Sequence, residues 1–181
     1  MACAVTLADY MRDPRSHTEL VDGRILQSPR VGAAHRGAAR RLAHTLEQAG
    51  LNADVYPNVV LKPERGDQSA LVREPDVYVT RAPSDQLLQP AEDMLLVCEI
   101  VAPGSGITDW VDKMREYAQA GIPQYWILDF SLYQSLHLYT FDNHGGAYAA
   151  PHHWDGLVDI EVAGTRVRFD VRDLSKWSTA A

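Results

Sequence analysis

Apolar residues run through Leu95-Leu96-Val97-Cys98, break at Glu99, and resume at Ile100-Val101. Such a run predicts a strand covered on both faces, inside a sheet. Gln124-Tyr125-Trp126-Ile127-Leu128-Asp129 has the same character, with Tyr125 and Trp126 expected in the core. From Pro75 to Thr80 the pattern alternates, which predicts a strand carrying Asp76, Tyr78 and Thr80 on one face. Residues 135–140 also alternate and are expected to pair with the 124–129 strand. Residues 55–61 predict a further strand, which Pro57 would push toward an edge or a bulge. Weaker strands are expected around 147–150, 158–162 and 165–169.

Helical patterns separate these runs. Thr6 is placed to cap a short helix reaching Met11. Leu20-Val21-Asp22-Gly23-Arg24-Ile25-Leu26 reads as a hairpin, because Asp-Gly favours a type I′ turn. Residues 33–49 predict a helix that ends with Gly50 in the C′ position. Gly66-Asp67-Gln68-Ser69 reads as a loop, and residues 81–92 as a surface connection. Pro103-Gly104-Ser105-Gly106 reads as a turn, after which Thr108 can cap a helix over 109–120 that stops at Gly121. A last short helix is expected over 170–177. The 109–120 helix between two apolar strands suggests a crossover, which makes those strands parallel. The expected class is α/β, a mixed sheet flanked by helices with additional C-terminal strands. Residues 1–181 are expected to form one domain.

Composition narrows the function. The formal net charge is −7, which argues against strong non-specific affinity for nucleic acid over the whole surface. One local exception is His35-Arg36-Gly37-Ala38-Ala39-Arg40-Arg41-Leu42-Ala43-His44, a basic strip on a predicted helix, which is also readable as a solvated face. Cys3 and Cys98 are the two cysteines and lie far apart, so no disulfide framework or four-cysteine zinc site is expected. The N-terminus has neither a basic region nor a long apolar one, and no apolar stretch approaches the ~20 residues of a membrane span. A cytoplasmic location is therefore expected, with no membrane partner. His152-His153 is not expected to bind zinc, since neighbours on a strand face opposite ways. No Gly-x-Ser-x-Gly elbow or phosphate-binding loop is present.

Glu99 carries the chemistry. A carboxylate in an apolar strand needs a cation, a metal or a proton. At ~100° per residue, Trp110, Met114, Tyr117, Ala118 and Gly121 form an apolar stripe on the 109–120 helix, with Lys113 about 60° from Trp110 at its border. Glu99 shares a face with Val97 and Val101. If that face packs beneath the helix, Lys113 comes near Glu99. Asp109, one turn earlier, can orient Lys113. Two acids and a lysine suit a metal-dependent phosphodiesterase site, but Glu99 and Lys113 also suit a structural ion pair, and Asp76 a turn.

Glu19-Leu20-Val21-Asp22-Gly23, His35, Glu74-Pro75-Asp76-Val77-Tyr78-Val79, the run from Leu96 to Pro103, then Asp109, Lys113, Tyr117 and the run from Gly121 to Asp129 resemble the Uma-two family. These are restriction-endonuclease-like proteins of the PD-(D/E)XK nuclease superfamily, and the resemblance spans roughly Tyr10 to Leu174. It implies a mixed-sheet nuclease core that cleaves DNA with Mg2+ or Mn2+. Asp76, Glu99 and the carbonyl of Ile100 would hold the metal, with Asp76, Glu99 and Lys113 as the catalytic set. The superfamily lysine normally stands two residues after the glutamate, where this chain has Val101. The resemblance implies that it has moved to Lys113. Ala102 stands where the family usually shows serine. Glu19 would be an accessory residue for metal or water and His35 a phosphate contact, while the local charge of the 35–44 strip makes Arg36, Arg40 and Arg41 candidate nucleic-acid contacts. DNA is the implied partner, and a homodimer is left open. The alternative is an inactive nuclease fold that binds nucleic acid or protein.

Overall fold

A computed structural model describes residues 4–12, 17–28, 31–66, 69–101, 108–130 and 134–175; the side chains of Thr108 and Asp109 are outside the description. Thr6 opens α1 (Leu7–Arg12) by reciprocal bonding: the Asp9 N–H donates to Thr6 Oγ1 at 3.0 Å, and the Thr6 N–H donates to Asp9 Oδ2 at 3.2 Å. β1 (Thr18–Val21) and β2 (Arg24–Gln27) form the expected hairpin, with φ of 49° at Asp22 and 69° at Gly23, as a type I′ turn requires. α2 (Ala33–Gln48) ends in a Schellman pattern, in which the Leu51 N–H donates to the Leu46 carbonyl at 3.1 Å.

The stretch 55–61 is a correction. β3 (Asn52–Val55) and β4 (Asn58–Lys62) are separate strands in different sheets. Tyr56, at φ 55°, turns the chain between them and Pro57 follows, so one hydrophobic run serves two layers. β5 (Leu71–Arg73) precedes β6 (Val77–Thr80), so Asp76 stands just before the strand. The 81–92 connection contains β7 (Leu88–Pro90), parallel to β4, and a 3-10 turn over Ala91–Asp93. β8 (Met94–Val101) is the Glu99 strand.

The helix expected over 109–120 is not uniformly α. A π-helical turn covers Thr108–Lys113, and α3 covers only Met114–Gln119. The wider π turn breaks the 100° spacing between Trp110 and Lys113. The turn at 103–106, Ala102, the capping side chain of Thr108 and the proposed Asp109 contact lie outside the described residues. β9 (Gln124–Asp129) and β10 (Ser135–Asp142) follow as expected. β11 (Ala147–Tyr148) is short, and His152 and His153 lie in β12 (His152–Trp154), paired with β10. β13 (Leu157–Val162) and β14 (Thr165–Asp170) form the C-terminal hairpin, before α4 (Val171–Leu174). The Arg172 N–H donates to Asp170 Oδ1 at the start of α4, and the rest of the expected 170–177 helix beyond Ser175 is outside the description.

A seven-stranded sheet runs in the order β11-β10-β9-β8-β6-β3, with β12 also on β10; a five-stranded sheet runs β2-β1-β5-β4-β7. β8 is parallel to β9 and antiparallel to β6. Alternation along β8 feeds two cores. Leu96, Cys98 and Ile100 pack with α2 and the C-terminal hairpin. Val97 and Val101 pack with Trp110, Met114, Tyr117 and β4 on the other face. Glu99 belongs to this second face by parity, and so lies under α3. Among the described residues no helix is long and apolar enough to cross a membrane.

Candidate active site

The β6–β8 register pairs Val77 with Cys98, so continuing it by one residue sets Asp76 opposite Glu99. The Asp76 carboxylate is held from two sides. The Ile100 N–H donates to its Oδ2 at 2.7 Å, and its Oδ1 lies 2.7 Å from His35 Nε2. A strand residue turns its N–H and carbonyl toward the same neighbour, so the Ile100 carbonyl leaves β8 on the Asp76 side.

Glu99 is 3% exposed. Lys113 Nζ lies 3.0 Å from its Oε2, and the Tyr117 hydroxyl donates to its Oε1 at 2.7 Å. Burial, then the nearby Glu99 charge, drives the Tyr117 pKa far up, so the phenol stays a donor. Lys113 therefore reaches Glu99 although the helix is wound differently from the expected one. Glu19, from β1 in the other sheet, joins them with Oε1 3.4 Å from Lys113 Nζ.

Sequence reasoning missed the residue that ties this together. Arg73, 4% exposed, donates through Nη1 to Glu19 Oε2 at 2.7 Å, and forks onto Glu116 through Nε at 2.7 Å and Nη2 at 2.9 Å. Its signal was present: Arg73 ends the apolar run Ala70-Leu71-Val72, and a charge there needs partners as Glu99 does. Burial works against the Arg73 charge, yet Glu116 and Glu19 raise its pKa above the ordinary value. Burial likewise pushes Glu19 up, but Lys113 and Arg73 outweigh it and hold its carboxyl below the ordinary value. Glu74, also unassigned from sequence, is pushed up to about 7 by burial and then by Glu19.

The donor set suits a hard divalent cation. Among the described residues, Glu19, Glu99 and Glu116 pair with the permanent cations Arg73 and Lys113, while Glu74 and Asp76 meet the imidazoles of His17 and His35, so carboxylates outnumber the permanent cations they pair with. His35 Nδ1 and the Tyr56 hydroxyl are buried without a hydrogen-bond partner among the described residues; ordered water or a hydrated ion normally satisfies such groups. Burial and then the Asp76 charge push the Tyr56 pKa up to about 12. Among the described residues no three His, Cys, Asp or Glu side chains converge as a cage. Two carboxylates and a carbonyl match an ion of the magnesium type, which keeps several waters.

The basic strip divides. His35 lies on the same face of α2 as the buried Ala38, Ala39, Leu42 and Leu46, and its ring meets Asp76 at 2.7 Å, at the candidate site itself. Arg41 is half-buried: its Nε donates to the Leu174 carbonyl at 2.8 Å and ties α2 to α4. Arg36 and Arg40 remain on the exposed face, one helical turn apart.

The fold and the carboxylate-lysine site define a restriction-endonuclease-like protein. The Uma2 family model, described as "Putative restriction endonuclease", matches residues 6–161, and the chain belongs to this family. A crystal structure from Anabaena variabilis, described as a "putative nuclease belonging to DUF820", matches with a TM-score of 0.68. It is 17% identical, over 94% of this chain and 97% of that one, which establishes a shared fold. No protein with a curated description matches the chain.

Proposed function

We propose that this chain is an endodeoxyribonuclease dependent on Mg2+ or Mn2+, with residues 1–181 as one nuclease domain acting on DNA in the cytoplasm. The observation that carries the reading is Lys113 Nζ at 3.0 Å from Glu99 while Val101 fills the position two residues after it. Asp76, Glu99 and the Ile100 carbonyl would hold the ion. Bound there, such an ion supplies Lewis acidity toward the scissile phosphate and lowers the pKa of a coordinated water. Lys113 offers its ammonium to charge that develops on the phosphate oxygens. Glu19 keeps that ammonium at the site, and the Ile100 N–H keeps Asp76 turned toward β8.

Calorimetric titration with manganese tests the ion. Binding is expected in the wild type and is expected to vanish in Asp76→Ala and Glu99→Gln. Equal affinity in all three proteins would end the reading. It would favour a non-catalytic nuclease fold, in which the protein partners seen on both Asp76 and Glu99 are their whole purpose.

Arg36 and Arg40 are the proposed phosphate contacts on α2. Arg36→Gln with Arg40→Gln is expected to weaken DNA binding and to reduce the slope of log affinity against log salt by roughly 1.8, as two fewer counterions are released. Arg41→Gln is expected to reduce the slope less, because Arg41 is half-buried and both its Nε and Nη2 are turned to the Leu174 carbonyl. The same slope in the double variant as in the wild type would move the DNA surface off this helix.

A further inference from the structure

Arg73 acts on Lys113 along two routes. One is electrostatic: Arg73 takes Glu19 Oε2 at 2.7 Å, leaving Lys113 a partner whose charge is already shared. Lys113 accordingly lies nearer to Glu99, at 3.0 Å, than to Glu19, at 3.4 Å. The other route is mechanical. Lys113 leaves the backbone where the π turn continues into α3. Glu116 stands three residues beyond Lys113, on the same side of the helix, and is gripped by both arms of the Arg73 fork. A guanidinium can hold two carboxylates in a fixed plane in this way, which an ammonium cannot.

We propose that Arg73 and Glu116 are positioning residues for Lys113: their fork fixes the turn that carries the lysine, while Arg73 draws off the charge of Glu19 so that the ammonium leans to Glu99. This rests on the assignment of Lys113 as the charge-stabilising group.

Glu116→Gln tests it, since glutamine keeps the size and one acceptor but loses the charged fork. Amine acetylation read by mass spectrometry gives the first measurement. The chain has three lysines, Lys62, Lys113 and Lys176, and Lys62 is an exposed internal reference. Acetylation of Lys113 relative to Lys62 is expected to rise several-fold in the variant. Cleavage gives the second: kcat should fall about ten- to a hundredfold with KM unchanged, the scale expected for a group displaced by up to about 1 Å. Introduced into Lys113→Ala, Glu116→Gln should have no further effect on the residual rate, because the two changes act through one group.

Unchanged acetylation of Lys113 overturns the proposal. So does an equal loss of rate with and without Lys113, which marks the fork as support for the fold alone. If the wild type cleaves no DNA, the nuclease reading fails and acetylation alone decides the positioning. If Glu116→Gln does not fold, Arg73→Lys carries both measurements, as its single amine cannot fork.

Discussion

Lys113→Ala is expected to lower DNA cleavage by about 10²–10³-fold, the usual loss when a charge-stabilising donor is removed. Manganese binding should persist, because the proposed ligands Asp76, Glu99 and Ile100 remain. Thermal unfolding of the variant reads the fold separately, which matters because Glu99 and Glu19 lose a cation. Adding Val101→Lys to this variant should restore part of the rate. Val101 shares the face of Glu99 and packs with Trp110, Met114 and Tyr117, so a lysine there starts beside the vacated space. Rescue should be incomplete, because that cluster is apolar and desolvating an ammonium in it is unfavourable. A wild-type rate in Lys113→Ala would make the lysine structural and end the proposed mechanism.

The second large effect concerns stability. Arg73→Met leaves Glu19 and Glu116 without their shared guanidinium. Breaking a buried ion network by removing one partner typically destabilises by about 3–5 kcal/mol. Urea denaturation at pH 7 is expected to show a loss in that range, and a loss below about 1 kcal/mol would mean that this network is not what joins β1, β5 and α3. The pH dependence has a definite sign. Burial raises the Glu19 pKa, but Lys113 and Arg73 hold it below 4.5. A carboxyl depressed in the folded state contributes stability above its unfolded pKa and loses it as acid carries the pH down through the folded value. The gap between wild type and Arg73→Met should therefore narrow below pH 4.5.

Much of the scaffold was readable from residues close together in the chain. Asp22-Gly23 determined its hairpin, Gly50 its helix end, and the β8 and β9 runs their burial and parallel pairing. Glu99 was conspicuous because a lone acid in an apolar run contradicts its surroundings. Its meeting with Lys113 followed from the face it shares with Val97 and Val101. The strand expected over 55–61 failed because hydrophobicity alone does not say which sheet a residue enters. Tyr56, at φ 55°, and Pro57 break the strand there, and the two halves enter different sheets.

What the sequence determined by itself, then, is the local geometry, the buried strands and the residues whose charge demands a partner, since each is set by neighbours within a turn or a strand. The partners are a tertiary matter. Arg73 lies 54 residues from Glu19 and 43 from Glu116, and His35 lies 41 from Asp76. Those distances close only when strand register and the π turn are in place. Chain spacing carries no record of either, because an ion pair reads separation in space and the low dielectric around it.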